Sequence, residues 1–136
     1  MNNIHILRAI SPVVVTDNTA QVSQIIDRQG FDSLVFAIAT GTLSDADATT
    51  VVLVEDGDNS ALSDAAAVSD ANLIGTELLA AFQFDDDNET RKIGYKGSKR
   101  YVRLTITPSA NTGNIPLCAL AILGHPRLGP TINPPV

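Results

Sequence analysis

The sequence predicts an all-β fold: a single-domain β-sandwich, jelly-roll-like, with extended terminal arms. Several short segments alternate apolar and polar residues with the period of two that is typical of strands. Clusters of Gly, Pro, Asn and Asp separate these segments at the spacing of a sandwich or barrel. Residues 60–77 are the one helix-compatible stretch, and they are short and interrupted, so we expect a long loop there with one helical turn at most. Jelly roll is the favoured topology in this class.

About eight strands follow from these patterns. Residues 4–10 and 12–16 are both compatible with extended structure, and the predicted strands after them are residues 20–27, Phe31–Thr40, Thr49–Glu55, Leu78–Phe84, two strands joined by a turn within Arg91–Pro108, and Ile115–Leu123. Phe31–Thr40 and Ile115–Leu123 are apolar at both odd and even positions, which predicts cover on both faces. That cover is supplied either by a central place in a monomer or by contact between copies of the chain.

The domain organisation is simple. The length of 136 residues fits one domain, which we place at residues 1–125, followed by a Pro-rich extended tail at 126–136. Cys118 is the only cysteine, which excludes an internal disulfide, and its apolar surroundings predict a small buried hydrophobe. The N-terminal residues lack the pattern of a signal peptide, and no apolar run approaches the ~20 residues of a membrane helix.

Charge is distributed unevenly along the chain. The net charge is −6, and twelve of the fifteen acidic residues lie between Asp45 and Glu89. This balance argues against nucleic-acid binding, which depends on clustered cations. The chain from Arg91 to Arg103, here called the basic segment, holds six of the nine basic residues: Arg91, Lys92, Lys96, Lys99, Arg100 and Arg103.

The basic segment has two interpretations. Its cations either solubilise the outer face of a sheet and pair internally, or they dock an acidic partner. The acidic residues available for internal pairs are Asp85, Asp86, Asp87 and Glu89. We predict that the segment contributes to binding a partner surface.

The sequence offers no catalytic signature, and we expect neither an enzyme nor a cofactor. His5 and His125 lie near opposite ends of the chain, and neither belongs to a pair with ligand spacing. The acidic turns, such as Asp45/Asp47 and Asp56/Asp58, do not reproduce the twelve-residue calcium loop with its terminal Glu. Because Asp is a common turn residue, solvated turns are the better interpretation, and no metal site is predicted.

Three strings carry a resemblance to a known family: SDADATTVVLVEDGDNSALSDAAAVSDANLIGTE, RKIGYKGSKRYVRLTITPSANTG and AILGHPR. Together they resemble the head cement, or decoration, proteins of tailed bacteriophages and prophages, over residues 26 to 130. The resemblance implies a jelly-roll-like sandwich that assembles as a homotrimer on the capsid exterior. It also implies that the chain binds the phage major capsid protein and ties neighbouring capsid subunits together.

Two expectations accompany this resemblance. The protein would be made in the host cytoplasm and end on the virion exterior, with neither nucleic acid nor membrane as a partner. The alternative from another class is a phage fibre or receptor-binding β-sandwich module, which is also β-rich and often trimeric. The position of the protein on the particle distinguishes the two.

Overall fold

The computed structural model describes residues 3–132 and confirms the all-β sandwich. Ten strands form it, together with a 3-10 turn at Asp70–Asn72 and a one-turn helix, α1, at Glu77–Ala80. The strands are β1 (Ile4–Val15), β2 (Gln21–Val22), β3 (Ile26–Asp27), β4 (Phe31–Thr40), β5 (Thr49–Gly57), β6 (Ala66–Ala67), β7 (Leu73–Ile74), β8 (Thr90–Tyr95), β9 (Tyr101–Ser109) and β10 (Ile115–Pro126).

Two antiparallel sheets enclose the core. Sheet A has the strand order β1-β10-β4-β8-β7, and sheet B has the order β2-β9-β5-β6 with β3 also paired to β9. The inward residues of β4 and β9 alternate with outward ones, and the six largest of them are at most 1% exposed: Leu34, Phe36, Ile38, Val102, Leu104 and Ile106. Burial of such side chains stabilises each sheet by ~1.5–3 kcal/mol per residue.

The predicted strand Leu78–Phe84 is wrong. Helix α1 begins there instead, because the Thr76 hydroxyl accepts the N–H of Leu79 at 3.2 Å and caps the first turn. The chain then continues as a loop in which only Gln83 makes an isolated bridge, to Thr49. The alternating apolar residues of this stretch do not line a sheet face. One of them, Phe82, extends from the loop into the core.

The basic segment does contain two strands, but they do not pair with each other. Strand β8 lies in sheet A between β4 and β7, whereas β9 lies in sheet B between β2 and β5. Residues 96–100 therefore cross from one sheet to the other. The physical reason is that Ile93 and Tyr95 of β8 and Val102 and Leu104 of β9 are all buried in the core between the sheets.

Strand β1 forms one edge of sheet A. It pairs with β10 alone among the described strands, and its register shifts between Arg8 and Ile10 and again between Ile10 and Val13. The Ala9 carbonyl accepts the Gln24 N–H at 3.0 Å. The strand therefore presents a long, interrupted edge.

The ends of the chain are described in part. Strand β10 reaches Pro126, one residue beyond the predicted domain boundary, and the Arg127 N–H then donates to the Gly30 carbonyl at 2.9 Å. Residues 1–2 and 133–136, which include the last part of the predicted tail, lie outside the described residues. Within residues 3–132, no helix has the length and apolar character needed to cross a bilayer.

Candidate docking surfaces

Arg91 is neutralised inside the molecule. Its Nη2 donates to Asp86 Oδ1 at 2.7 Å and to Glu89 Oε2 at 3.0 Å, and its guanidinium lies 5.2 Å from the centroid of the Phe82 ring. Two of the four acidic residues that the sequence suggested as internal partners therefore form ion pairs with Arg91. Asp87 has a different role, because its Oδ1 accepts the N–H of Leu43 at 2.7 Å.

Three further cations of the basic segment also pair with carboxylates. Lys99 Nζ lies 2.5 Å from Asp58 Oδ2, and this hydrogen bond raises the pKa of Lys99. Arg100 donates to both carboxylate oxygens of Asp27, at 2.9 and 2.7 Å, and thereby lowers the pKa of Asp27. Arg103 donates from Nε and Nη2 to Glu55 Oε2, at 3.1 and 2.7 Å.

Lys92 and Lys96 differ from the other four. Neither has a carboxylate partner among residues 3–132, and both are exposed. Lys92 lies on β8 and points away from the core, whereas Lys96 lies in the crossing between the sheets. The six residues thus do not form one surface, and their role in docking stays a prediction.

Replacing Lys99 and Arg100 with Ser is expected to leave the free energy of unfolding almost unchanged, because exposed ion pairs contribute little to stability. Both pairs are exposed to solvent, which screens them. Urea denaturation measures the change, and Arg103→Ser provides the comparison because the Arg103–Glu55 pair is more buried. A large fall in the urea midpoint on replacing Lys99 would show that its pair has a structural role in the crossing.

The outward side of sheet A is a broad apolar surface, here called the outer apolar face. Register places Ile6 beside Ile122, Ile122 beside Val35, and Val35 beside Gly94, which is covered by Ile74. The next row contains Leu120 and Ala37. Ile6, Leu120 and Ile74 are 40, 42 and 62% exposed. Cys118 is half-buried on this face and not in the core where the sequence placed it.

One row of the outer apolar face carries a cation at each end. Arg8 pairs with Leu120, Leu120 with Ala37, and Ala37 with Lys92. Three strand spacings of ~4.8 Å place the two cationic residues about 14 Å apart. Arg8 was missed by sequence reasoning, because only the long-range register of β1 on β10 brings it into line with Lys92.

An open groove of about 380 Å³ continues this surface at one end. It lies where β1, β4 and β10 meet, and its lining includes Pro12, Val14, Ala39 and Pro116. The second register shift of β1, between Ile10 and Val13, precedes the groove directly. Because its lining is mainly apolar, the groove extends the outer apolar face toward the Gly41 end of the sheet.

The outward side of sheet B is more polar. Its central pair of strands places Thr105 beside Leu53, Thr107 beside Val51, and Arg103 beside Glu55. The Arg103–Glu55 ion pair satisfies both charges on that face. The two outer surfaces of the sandwich therefore differ in character.

Ser33 and His125 form a contact of the kind found in nucleophilic catalysis. Ser33 Oγ lies 3.0 Å from His125 Nδ1, and both side chains are near the end of sheet A. A serine nucleophile also needs an orienting carboxylate on the histidine and donors for an oxyanion. In the described part of the chain His125 contacts no carboxylate, and the nearby Asp32 pairs with Arg127. This contact links β4 and β10.

The acidic turns are tied into the fold by hydrogen bonds. Asp45 accepts from the Thr112 N–H at 2.6 Å, from the Thr112 hydroxyl at 2.8 Å and from the Asp47 N–H at 3.1 Å. Hydrogen bonds from Asp47 and then from Thr112 hold the pKa of Asp45 well below its ordinary value of 3.8. Within residues 3–132 no three His, Cys, Asp or Glu side chains are grouped as metal ligands.

Asp45 is expected to make the fold sensitive to acid. Its lowered pKa means that its contribution to stability is present at neutral pH and is lost as the pH falls below ~4. Asp47 opposes this in part, since its pKa is raised by Asp45. Asp45→Asn should lower the thermal midpoint at neutral pH and flatten its decline toward acid.

Asp70→Asn is the matched control for acid sensitivity, because the exposed Asp70 side chain accepts no hydrogen bond within the described residues. Its thermal midpoint should follow that of the unsubstituted protein at every pH. A pH profile for Asp45→Asn parallel to the unsubstituted profile would contradict the assignment to Asp45.

Comparisons with known proteins bear on the fold. No family model matches the chain, and no curated protein sequence matches it. Among solved structures, the PBSX exported protein XepA matches with a TM-score of 0.58 at 13% identity over 94% of this chain. A structure of the infectious bursal disease virus Gx strain matches with a TM-score of 0.54 at 12% identity over 93%.

The chain spans 39% of XepA and 33% of the viral chain. Identities this low carry information on architecture and not on activity. The chain is therefore similar to parts of larger proteins in the arrangement of its two sheets, and it has a β-sandwich fold.

Proposed function

We propose that this protein is a structural component of a tailed-phage particle and not an enzyme. It binds the outside of the icosahedral head and cements neighbouring major capsid subunits. The observation that carries the proposal is the outer apolar face, which leaves a broad surface of sheet A without cover in the described chain. Large exposed apolar surfaces are typical of sites for protein association.

Two further findings support the proposal. The three sequence strings given above suggest the phage decoration proteins, although no family model or curated sequence matches the chain, and the fold resembles part of a structure of infectious bursal disease virus. Within residues 3–132, polar side chains serve mainly to tie loops and strands together, as the contacts of Asp45 and Ser33 illustrate.

The physics of cementing suits a sandwich of this kind. A protein that binds only the assembled shell stabilises that shell by mass action. Contacts repeated by capsid symmetry also slow disassembly, which is kinetic stability. A rigid module with one apolar face can provide such contacts without changing its own fold.

The working unit proposed from the family resemblance is a homotrimer, with neither nucleic acid nor membrane as a partner. Static light scattering over a range of protein concentrations measures this mass. The second candidate function is a fibre or receptor-binding module, which shares the β-sandwich fold.

The test of the proposed function is occupancy on shells. Shells of the phage whose genome encodes this chain are prepared without it, and the purified protein is added back. Saturable binding, a raised shell melting temperature and density on the capsid exterior in electron micrographs are the expected results. Density on a fibre or tail would favour the second candidate, and no binding to the particle would contradict both.

A further inference from the structure

We infer that the outer apolar face docks on a protein surface that is itself apolar and carries two carboxylates, one for Arg8 and one for Lys92. This inference rests on the proposed function and names the chemistry of the partner site on the major capsid protein. Arg8 lies outside the basic segment, so this surface differs from the one that the sequence indicated.

The pairing of cations across the molecule singles out these two residues. Five of the nine cations form ion pairs with carboxylates: Arg91, Lys99, Arg100, Arg103 and Arg127. A sixth, Arg28, donates to the Gly97 carbonyl at 3.0 Å and lies over the Tyr95 ring. In residues 3–132 only Arg8, Lys92 and Lys96 lack such partners, and the first two share one row of the outer apolar face.

The chain itself supplies no counter-charge to this face. The five strands of sheet A contain one carboxylate, Asp32, and it is paired with Arg127. The whole protein has a net charge of −6, whereas this face carries cations and no free carboxylate, so the charge of the face is positive. Such a face attracts an acidic surface and orients it.

A second copy of the chain packed face to face does not provide this complement. Two outer apolar faces packed together would bring four cations into one interface without a carboxylate from either sheet A. Like charges held together in an interface oppose association. The outer apolar face therefore does not pair with itself, and the surface that fits it is one on which apolar side chains lie between two acidic residues, which we assign to the major capsid protein.

The row geometry limits how the two acidic residues are placed. About 14 Å separates Arg8 from Lys92, which equals the span of residues i and i+4 in an extended strand. Those two positions and the residue between them at i+2 point to the same side. A strand with Asp at i and i+4 and Leu at i+2 thus matches the row Arg8–Leu120–Ala37–Lys92.

Charge reversal tests the inference on shells that the unsubstituted protein occupies. Arg8→Glu and Lys92→Glu should each weaken binding by about tenfold at low salt. Lys96→Glu separates the outer apolar face from the basic segment, because it makes the same change in net charge at an exposed cation of the basic segment that lies outside the face. If the face makes the contact, Lys96→Glu should weaken binding by less than about twofold. Arg8→Lys and Lys92→Arg should retain binding.

Equal losses for all three reversals would overturn the inference, since only net charge would then matter. Retained binding by Arg8→Glu and Lys92→Glu would overturn it as well. Light scattering on the same samples tests whether a copy of this chain occupies the face instead. An oligomer that dissociates on Leu120→Ser would assign the face to copies of this chain. Thermal melts confirm that each variant is folded.

A peptide experiment separates failure of the inference from failure of the proposed function. The probe is a synthetic peptide with Asp at i and i+4 and Leu at i+2. Its binding is measured by changes in the NMR chemical shifts of the isotope-labelled protein. Shifts centred on Leu120, Ala37 and Val35, lost in Arg8→Glu, support the assigned chemistry even if shells remain empty. Shifts on sheet B, or none at millimolar peptide, would overturn it.

Discussion

Replacing Phe82 with alanine is expected to lower the free energy of unfolding by about 3–5 kcal/mol. The Phe82 ring is 1% exposed although it lies on a loop, so its removal leaves a cavity at the side of the core. The backbone around it is fixed by Thr50, whose N–H and hydroxyl both donate to the Phe82 carbonyl and whose hydroxyl accepts the Phe82 N–H at 2.7 Å. These bonds restrict relaxation into the cavity.

Phe84→Ala is the matched control for this change. Phe84 is two residues away and 45% exposed, so its loss should cost less than ~1 kcal/mol. Urea denaturation of both variants, fitted with a common slope, gives the difference. Similar midpoints for the two variants would show that the loop of Phe82 is not part of the cooperative core.

Tyr95→Phe is expected to lower the free energy of unfolding by about 1–3 kcal/mol. The Tyr95 hydroxyl donates to Asp56 Oδ2 at 2.6 Å and accepts the Lys99 N–H at 3.0 Å, so it joins β8, β5 and the crossing between the sheets. Burial, and then the hydrogen bond to Asp56, raises the pKa of Tyr95. Its removal leaves both partners without that bond.

Tyr101→Phe provides the comparison for the lost hydroxyl. Tyr101 is partly exposed on β9, and within residues 3–132 its hydroxyl makes no hydrogen bond, so the change should be within ~0.5 kcal/mol. Thermal and urea unfolding measure both variants. An unchanged midpoint for Tyr95→Phe would mean that water replaces the hydroxyl without cost.

The strands that were predicted well have local signals that agree with their tertiary setting. Strand β4 has the predicted bounds, and β5 begins at the predicted residue, because β-branched residues are frequent there and inward and outward side chains alternate over a buried face. Strand β9 continues past Pro108 to Ser109, because Pro108 lies opposite Thr50 in the pairing of β9 with β5. The double apolar character of β4 and β10 was also visible, and it corresponds to the core on one side and the outer apolar face on the other.

Long-range pairing could not be derived from local patterns. The same period of two fits a hairpin or two strands in different sheets, so β8 and β9 were placed on one surface. Two glycines make room for neighbouring side chains, Gly94 within β8 and Gly97 in the crossing between the sheets. A Cβ on Gly97 would collide with the Tyr95 hydroxyl, and one on Gly94 would lie 3.0 Å from Ile74 Cβ.

The interrupted edge of β1 has a consequence for aggregation. An edge strand with exposed Ile4, Ile6 and Val14 offers backbone groups on which strands of other molecules could stack indefinitely. Arg8 adds a charge in the middle of that edge, and Pro12, beside the second register shift, has no N–H to donate. The edge is therefore divided into two short stretches, and a short, interrupted edge with a charge and a proline is a poor template for the addition of further strands.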